Sequence, residues 1–311
     1  MILIISFEDN EHVRQVTQHL TTDYAIADVA WFPSQMFLSA QTSRETDTLF
    51  LSLPDQRQID LCDVQSIWYR RIRNMTIDPA LQDRTSQLFA WSESNEALLG
   101  AWYSLDCFWM NHPLADEAAL RKIHQLRLAR KVGLSIPETL VTNAPPEALA
   151  FIDRFGPGNV IRKAFRNIAE APKETAIVQQ TDLSVIDSVS FAPVIFQNFI
   201  PAELDLRVTV IDGEIFAASI RSDEHHKADY RPGLSTATVE KYALPETVST
   251  QLLTLMDALN LKFGAVDFRV TPAGEHIFLE VNPAGEFLFI SERTGHPIPA
   301  AIAASLERQA C

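Results

Sequence analysis

Two common routes to nucleotide binding are missing from this sequence. It has no GxxxxGK[ST] phosphate loop, and no GxGxxG follows its first apolar segment. P-loop and Rossmann sites depend on those spacings, so neither is supported. Cysteine is scarce: Cys62, Cys107 and Cys311 form no CxxC pair and no metal-ligand spacing. An odd, sparse set gives no disulfide framework and fits a reducing compartment, each thiol being a small core residue or a free tail thiol. No stretch approaches the ~18 uninterrupted apolar residues that a membrane span needs. The opening MILIISF is apolar, but it lacks a basic leader and stops before Glu8 and Asp9. It reads as a buried first strand rather than a signal segment, and a cytoplasmic location is the default expectation.

Positive charge is also short. Lysine and arginine number 26 against 40 acidic residues, a formal net charge of −14. Such a field repels polyanions and argues against general nucleic-acid binding. Basic clusters stand out on that background: Arg70, Arg71 and Arg73; Arg162, Lys163 and Arg166; Arg221, Lys227 and Arg231. Each could be solvated surface, but three in an acidic chain suggest sites for phosphate or carboxylate.

With 311 residues, 47% of them hydrophobic, the chain has room for two or three structural units. Residues 1–113 alternate short apolar runs (2–7, 24–31, 48–53, 59–61, 66–70) with helical patterns at 9–20 and 81–105. That alternation predicts an α/β unit with mostly parallel pairing. The first helix is capped by Asp9 or Asn10. The second carries Leu88, Trp91, Leu98, Leu99 and Trp102 at helical spacing, and Trp91, Trp102 and Trp109 read as core. Residues 114–190 predict a helix over 116–132 stopped by Gly133, a strand at 139–142, a helix at 145–155 with proline in its first turn, and strands near 159–164 and 175–180. Residues 191–311 turn to adjacent strands at 193–199, 204–210 and 214–221. Asp212-Gly213 supplies a two-residue hairpin turn. A helix over 246–260 leads to a last hairpin, 264–270 and 276–281, around Pro272–Gly274. The fold class is mixed, α/β with α+β character.

That last hairpin carries the chemistry. Alternation puts Asp267 and Arg269 on one face of the first arm, and Glu280 and Asn282 on one face of the second. The tight turn brings all four to the same side. Two carboxylates and an amide oxygen form a hard oxygen set of the kind that holds Mg²⁺ beside nucleotide phosphates. Solvent-facing polar residues are the plainer alternative. Glu280 and Asn282 sit in an apolar run, where an unpaired carboxylate is costly to bury. By the same argument Lys163, inside VIRKAF, requires an anionic partner. Arg269 either pairs with Asp267 or touches substrate. His225 and His226 are adjacent, so their side chains diverge, and a loop pair without metal is favoured.

GAVDFR followed by FLEVNPAG resembles the metal-binding signature of ATP-grasp ligases. Further matches follow in order over about residues 111–295. RKIHQLRLARKVGLSIPETLVTN is similar to the segment in which a lysine, here Lys122, reaches ATP. VIRKAF resembles the strand whose lysine, here Lys163, contacts the α and β phosphates. VIFQNFI is similar to the adenine hinge, with Gln197, Asn198 and Phe199 at the base and Ile200 after them. In LDLRVTVIDGEIFAASIRS, Asp205 and Arg207 match an acidic-x-arginine strand whose arginine contacts phosphate. Where relatives often carry a glycine-rich loop, this chain has Arg166–Pro172. A narrower resemblance rests on SIWYRR, on Asn111-His112-Pro113 and on SDEHHKADYRPG. These look like the graspetide, or microviridin-type, macrocyclases of ribosomal peptides.

The resemblance implies an ATP-grasp fold: a pre-grasp α/β domain (1–113), a small central domain (114–190) and a C-terminal antiparallel-sheet domain (191–311). It also implies ATP and Mg²⁺ as cofactors, a precursor peptide as partner, and a homodimer; neither nucleic acid nor membrane is expected as a partner. In that reading Asp267, Glu280 and Asn282 hold Mg²⁺. Lys122, Lys163 and Arg207 hold phosphate oxygens, while Arg221, Asp229 and Arg231 hold the acceptor carboxylate or steer the nucleophile. Two alternatives stay open: a ligase adding a free amino acid to a protein tail or small acid, and a degenerate binding protein. The N-terminal IWYRR block favours a peptide substrate, and the complete metal trio argues against a degenerate binder.

Overall fold

The computed structural model describes residues 1–165, 175–222 and 230–308. The chain forms two compact units. The first comprises Met1–Asp116, Asn260–Phe263 and the chain from Pro297 on; the second comprises Glu117–Leu259 and Gly264–His296.

In the first unit, β1 (Ile2–Ile5) has all four residues buried. It lies between β2 (Tyr24–Ala27) and β6 (Ser66–Tyr69), parallel to both. A strand flanked and covered on both faces reads as an unbroken apolar run, which is what ILII is. β7 (Phe108–Met110) completes the order β2-β1-β6-β7. α1 (Glu11–Thr17) starts at Asn10, whose side chain accepts from the His12 N–H.

Parallel pairing does not extend through this unit as the pattern suggested. The segments expected at 48–53 and 59–61 are β4 (Asp47–Ser52) and β5 (Gln58–Asp60). With β3 (Phe37–Thr42), missed by the pattern because its side chains are largely exposed, they form a separate antiparallel sheet. α2 (Arg84–Tyr103) starts at Asp83. Trp102 and Trp109 are core residues, as expected, whereas Trp91 is 47% exposed. Trp91 shares the stripe of Leu98 and Trp102, but it sits in the N-terminal half of α2, where no residue before Ser94 is buried.

In the second unit a small sheet runs β10-β9-β11-β8: Ala176–Ile177, Val160–Lys163, Val194–Asn198 and Thr139–Thr142. α5 (Pro145–Phe155) covers it through Ala148 and Ile152, which meet Val160 and Phe196. The larger sheet runs β14-β13-β12-β15-β16: Thr238–Lys241, Glu214–Arg221, Leu204–Ile211, Phe263–Val270 and His276–Asn282. Asp212 and Gly213 join β12 to β13 with φ of 45° and 87°, the pair of left-handed residues that a tight hairpin needs. α6 (Glu246–Ala258) and α7 (Leu288–Thr294) also belong to this unit, and α8 (Ile298–Arg308) to the first.

The helix predicted over 116–132 is two helices, α3 (Pro113–Ala119) and α4 (Lys122–Lys131), parted where Arg121 is extended. Gln125, fully buried, stabilises the break. Its Nε2 donates to Ala119 O and, at 2.8 Å, to Val281 O, and its Oε1 accepts from Val281 N at 3.1 Å. One amide thus ends α3 and fastens α4 to β16, leaving Lys122 at the first position of α4. No described helix is long and apolar enough to cross a membrane.

Candidate active site

The β15–β16 ladder sets Asp267 opposite Glu280 and Ala265 opposite Asn282, with a bulge just beyond Asp267. Directly opposed residues share a face, so the two carboxylates stand side by side. Each is engaged by a cation. Lys122 Nζ lies 2.7 Å from Glu280. Arg207 Nη1 donates to both oxygens of Asp267 at 3.0 Å, and its Nη2 to Glu286 O at 3.0 Å. Tyr230, buried, donates its hydroxyl to Asp267 at 3.1 Å.

The electrostatics follow from burial. Desolvation pushes Glu280 up, but the charges of Lys122 and then Lys163 prevail and hold its carboxyl at about 2. Burial lowers the Lys163 ammonium against the pull of Glu280. Burial first and the Asp267 charge second push the Tyr230 phenol well above its ordinary value.

Lys122, Lys163, Tyr230, Asp267 and Glu280 line a cavity of about 190 Å³, with Arg207 behind Asp267 and outside the lining. Lys122, Lys163, Gln197, Asn198, Ile200, Asp205, Arg231, Asp267 and Glu280 all face it. One buried atom of the lining lacks a hydrogen-bond partner among the described residues, Gln197 Oε1. An unpaired buried polar atom is costly, and a polar ligand in the cavity would relieve it.

Other expected residues are placed differently; Arg269 also lines the cavity. Phe199 does not line the cavity; its ring is 5.8 Å from the Arg269 guanidinium. Arg269 pairs not with Asp267 but with Asp205, at 3.0 Å. Asn282 sits two pairs along the ladder and outside the cavity lining, its Oδ1 accepting from Ala284 N at 3.1 Å. Arg221 is half-exposed, 3.6 Å from Glu203, and outside the cavity. Asp229, His225, His226, Lys227, Arg166 and the 166–172 loop lie outside the described residues. In the first basic cluster Arg73 pairs with Asp28 and Arg70 is buried against the Trp68 and Phe263 rings. Those two arginines are structural.

Sequence reasoning missed Tyr230, Gln125 and Gly285. A methyl at Gly285 would lie 2.3 Å from Ala265 Cβ and 2.8 Å from Arg207 Nη2, so only glycine fits beside that arginine. The signal was the glycine closing FLEVNPAG.

Residues 1–117 match the MvdD pre-ATP grasp domain, and residues 119–306 the RimK-like ATP-grasp domain. The chain belongs to the RimK-like ATP-grasp family and is an ATP-grasp ligase, with the ATP binding that defines that family. It is similar over 99% of its length to macrocyclase MdnC of Microcystis aeruginosa MRC, solved bound with precursor peptide MdnA (30% identity, TM-score 0.88, 99% of that chain covered). It is also similar to a Chryseobacterium gregarium RiPP-associated ATP-grasp ligase solved with ADP and a leader and core peptide (28%, TM-score 0.90, covering 99% of this chain and 96% of that one). Macrocyclase MdnB of Microcystis aeruginosa MRC shares 33% identity, with 98% of each chain covered and a TM-score of 0.82. Among curated relatives, a probable alpha-L-glutamate ligase of Enterobacter sp. (strain 638) is 25% identical over 69% of this chain and 72% of its own. One of Desulfotalea psychrophila (strain LSv54 / DSM 12343) is 26% identical over 89% of this chain, which spans only 60% of that relative.

Proposed function

We propose that this chain is a macrocyclase of ribosomal peptides, joining side chains of a precursor peptide at the expense of ATP. The observation that carries the chemistry is that Lys122, Lys163, Asp267 and Glu280 line one cavity, with Lys122 paired to Glu280 and Arg207 paired to Asp267 from behind it. Cations and carboxylates interleaved in this way suit a triphosphate and its metal together. The peptide substrate is supported by chain-long likeness to ligases solved with precursor peptides.

A carboxylate does not condense with an alcohol or amine in neutral water, because hydroxide leaves poorly. In the proposed reaction an Asp or Glu oxygen of the peptide takes the γ-phosphoryl group of ATP, releasing ADP. A Ser or Thr hydroxyl, or a Lys amine, then attacks the acyl carbon. Phosphate leaves, and a side-chain ester or amide remains. Such transfer needs positioning and charge neutralisation more than covalent help. Lys122, Lys163 and Arg207 would hold phosphate oxygens, and Gln197, Asn198 and Ile200 the base. Arg231 would face the acceptor carboxylate, with Asp229 near it in sequence. For Mg²⁺ the carboxylates of Asp267 and Glu280, both in the cavity lining, would be the donors, with the Asn282 amide two pairs along the ladder as the further oxygen, a hard set of the kind the ion takes. Once bound, Mg²⁺ offsets phosphate charge. A homodimer in the cytoplasm completes the proposal.

The test is to incubate the protein with ATP, Mg²⁺ and a Thr-, Ser-, Asp- and Glu-rich peptide encoded beside its gene. Loss of one water mass per bond is expected, abolished in Asp267→Asn and Glu280→Gln variants that stay folded. A second reading, addition of a free amino acid, is favoured by the names of the curated relatives. Unchanged peptide mass with ADP release that depends on an amino acid would establish it instead.

A further inference from the structure

A second cavity, about 850 Å³, lies between α4 and β8. Its α4 wall is basic: His124, Arg127, Arg130 and Lys131 all line it and all are exposed. Ile123, Arg127 and Arg130 recur at helical spacing, as do His124 and Lys131, so one face of α4 carries them. None of the four basic residues has an ion pair with a described residue. Glu138 on the opposite wall is already paired with Arg154. In a chain of net charge −14, this is an uncompensated positive groove.

The other wall is a strand edge. Among the described residues β8 is the last strand of its sheet, paired on one side only, with β11. Thr139 and Val141 of β8 face the cavity. An open edge can accept an added strand through its backbone groups. The groove also continues from the active site: Pro137 lines both cavities, and α4 begins with Lys122, which pairs with Glu280.

We propose that this groove docks an acidic, extended segment of the peptide substrate, away from the residues being joined. The inference rests on the reading of the protein as a peptide ligase. α4 has ten residues, a length of about 15 Å at 1.5 Å per residue. An extended chain covers that in about four or five residues. Acidic side chains on one face of the segment would meet Arg127 and Lys131, while its backbone pairs with β8.

The experiment uses the full chain and two fluorescein-labelled hexapeptides, Glu-Thr-Glu-Thr-Glu-Thr and its Gln-for-Glu counterpart, with binding read by anisotropy. The acidic probe should bind, more weakly as salt rises. The Gln probe should bind about tenfold less tightly, and the Arg127→Glu/Lys131→Glu variant should lose a similar factor for the acidic probe. ADP affinity of that variant should stay at the wild-type level, showing that the fold and the nucleotide cavity are intact. Equal binding of the two peptides, or equal binding by variant and wild type, would overturn the proposal. So would displacement of the probe by an oligothymidylate at lower concentration than by unlabelled peptide. If charge-dependent binding holds but no peptide is ever condensed, the peptide-macrocyclase reading fails and the groove stands.

Discussion

The guanidinium of Arg207 donates one nitrogen to both oxygens of Asp267, 3.0 Å away, with both side chains largely buried. Breaking a buried ion pair leaves the surviving charge uncompensated, at a cost of about 3–5 kcal/mol. Arg207→Met should therefore lower the free energy of unfolding in urea by about that much. Arg207→Met/Asp267→Asn should recover most of the loss, since no naked carboxylate remains. Neither variant should turn over ATP. Equal stability in the single and double variants would mean that the two groups do not depend on each other.

Gly285 tests the same arginine from its other side. A Cβ there would meet Ala265 Cβ at 2.3 Å, and both residues are held by the sheet and the turn after β16. Overpacking of this kind costs about 1–3 kcal/mol. Gly285→Ala should be destabilised by that amount and bind ADP less tightly, because Arg207 must move. Adding Ala265→Gly should restore stability. A Gly285→Ala protein as stable as wild type would show that the turn yields freely.

Glu280 gives a pH signature. Its carboxyl is held near 2, below the ordinary 4.5, because Lys122 and Lys163 outweigh its burial. A depressed carboxyl stabilises the fold fully above its unfolded value, and that stability is lost as pH falls through the folded value. The stability gap between wild type and Glu280→Gln should be constant above about pH 4.5 and shrink towards pH 2. Unfolding curves across that range read it directly. A gap that closes well above pH 4.5 would contradict the pairing.

The hairpin that presents Asp267 and Glu280 was legible in the sequence because strand alternation and a short turn are local rules. Lys122 and Lys163 were placed by resemblance, and the structure brings both to the same cavity. The exchange of partners was not legible. Arg269 goes to Asp205 and Arg207 to Asp267 because β12 lies beside β15, a pairing across some sixty positions that no local spacing encodes. The break between α3 and α4 escaped notice for the same reason: it depends on Gln125 finding Val281 on a distant strand. Leu88 and Trp91 continue the apolar stripe of α2 into its N-terminal half, which is exposed, so the periodicity gave the face correctly but overstated burial.

A last prediction concerns the first unit. Asn111 uses its whole side-chain amide. Nδ2 donates to Asp116 and to Phe263 O, both at 2.9 Å, and Oδ1 accepts from the Lys262 and Phe263 N–H groups at 2.7 and 2.8 Å. Asp116, buried at this node, is raised from 3.8 to about 7 because desolvation outweighs its Asn111 bond and the Arg70 charge. A carboxyl raised in the folded state favours folding while protonated. Wild type should therefore lose stability as pH climbs from about 4 through about 7, because the unfolded chain ionises first. Asp116→Asn keeps an acceptor for Asn111 but cannot ionise, so its stability should be flatter across that range. The variant should be the more stable protein at pH 8 and should lose that advantage at pH 4. Parallel stability curves for the two proteins from pH 4 to 8 would refute the buried, protonated state. Asn111→Ala should be worse at every pH, since it strands two backbone N–H groups and a carbonyl at about 1–3 kcal/mol each.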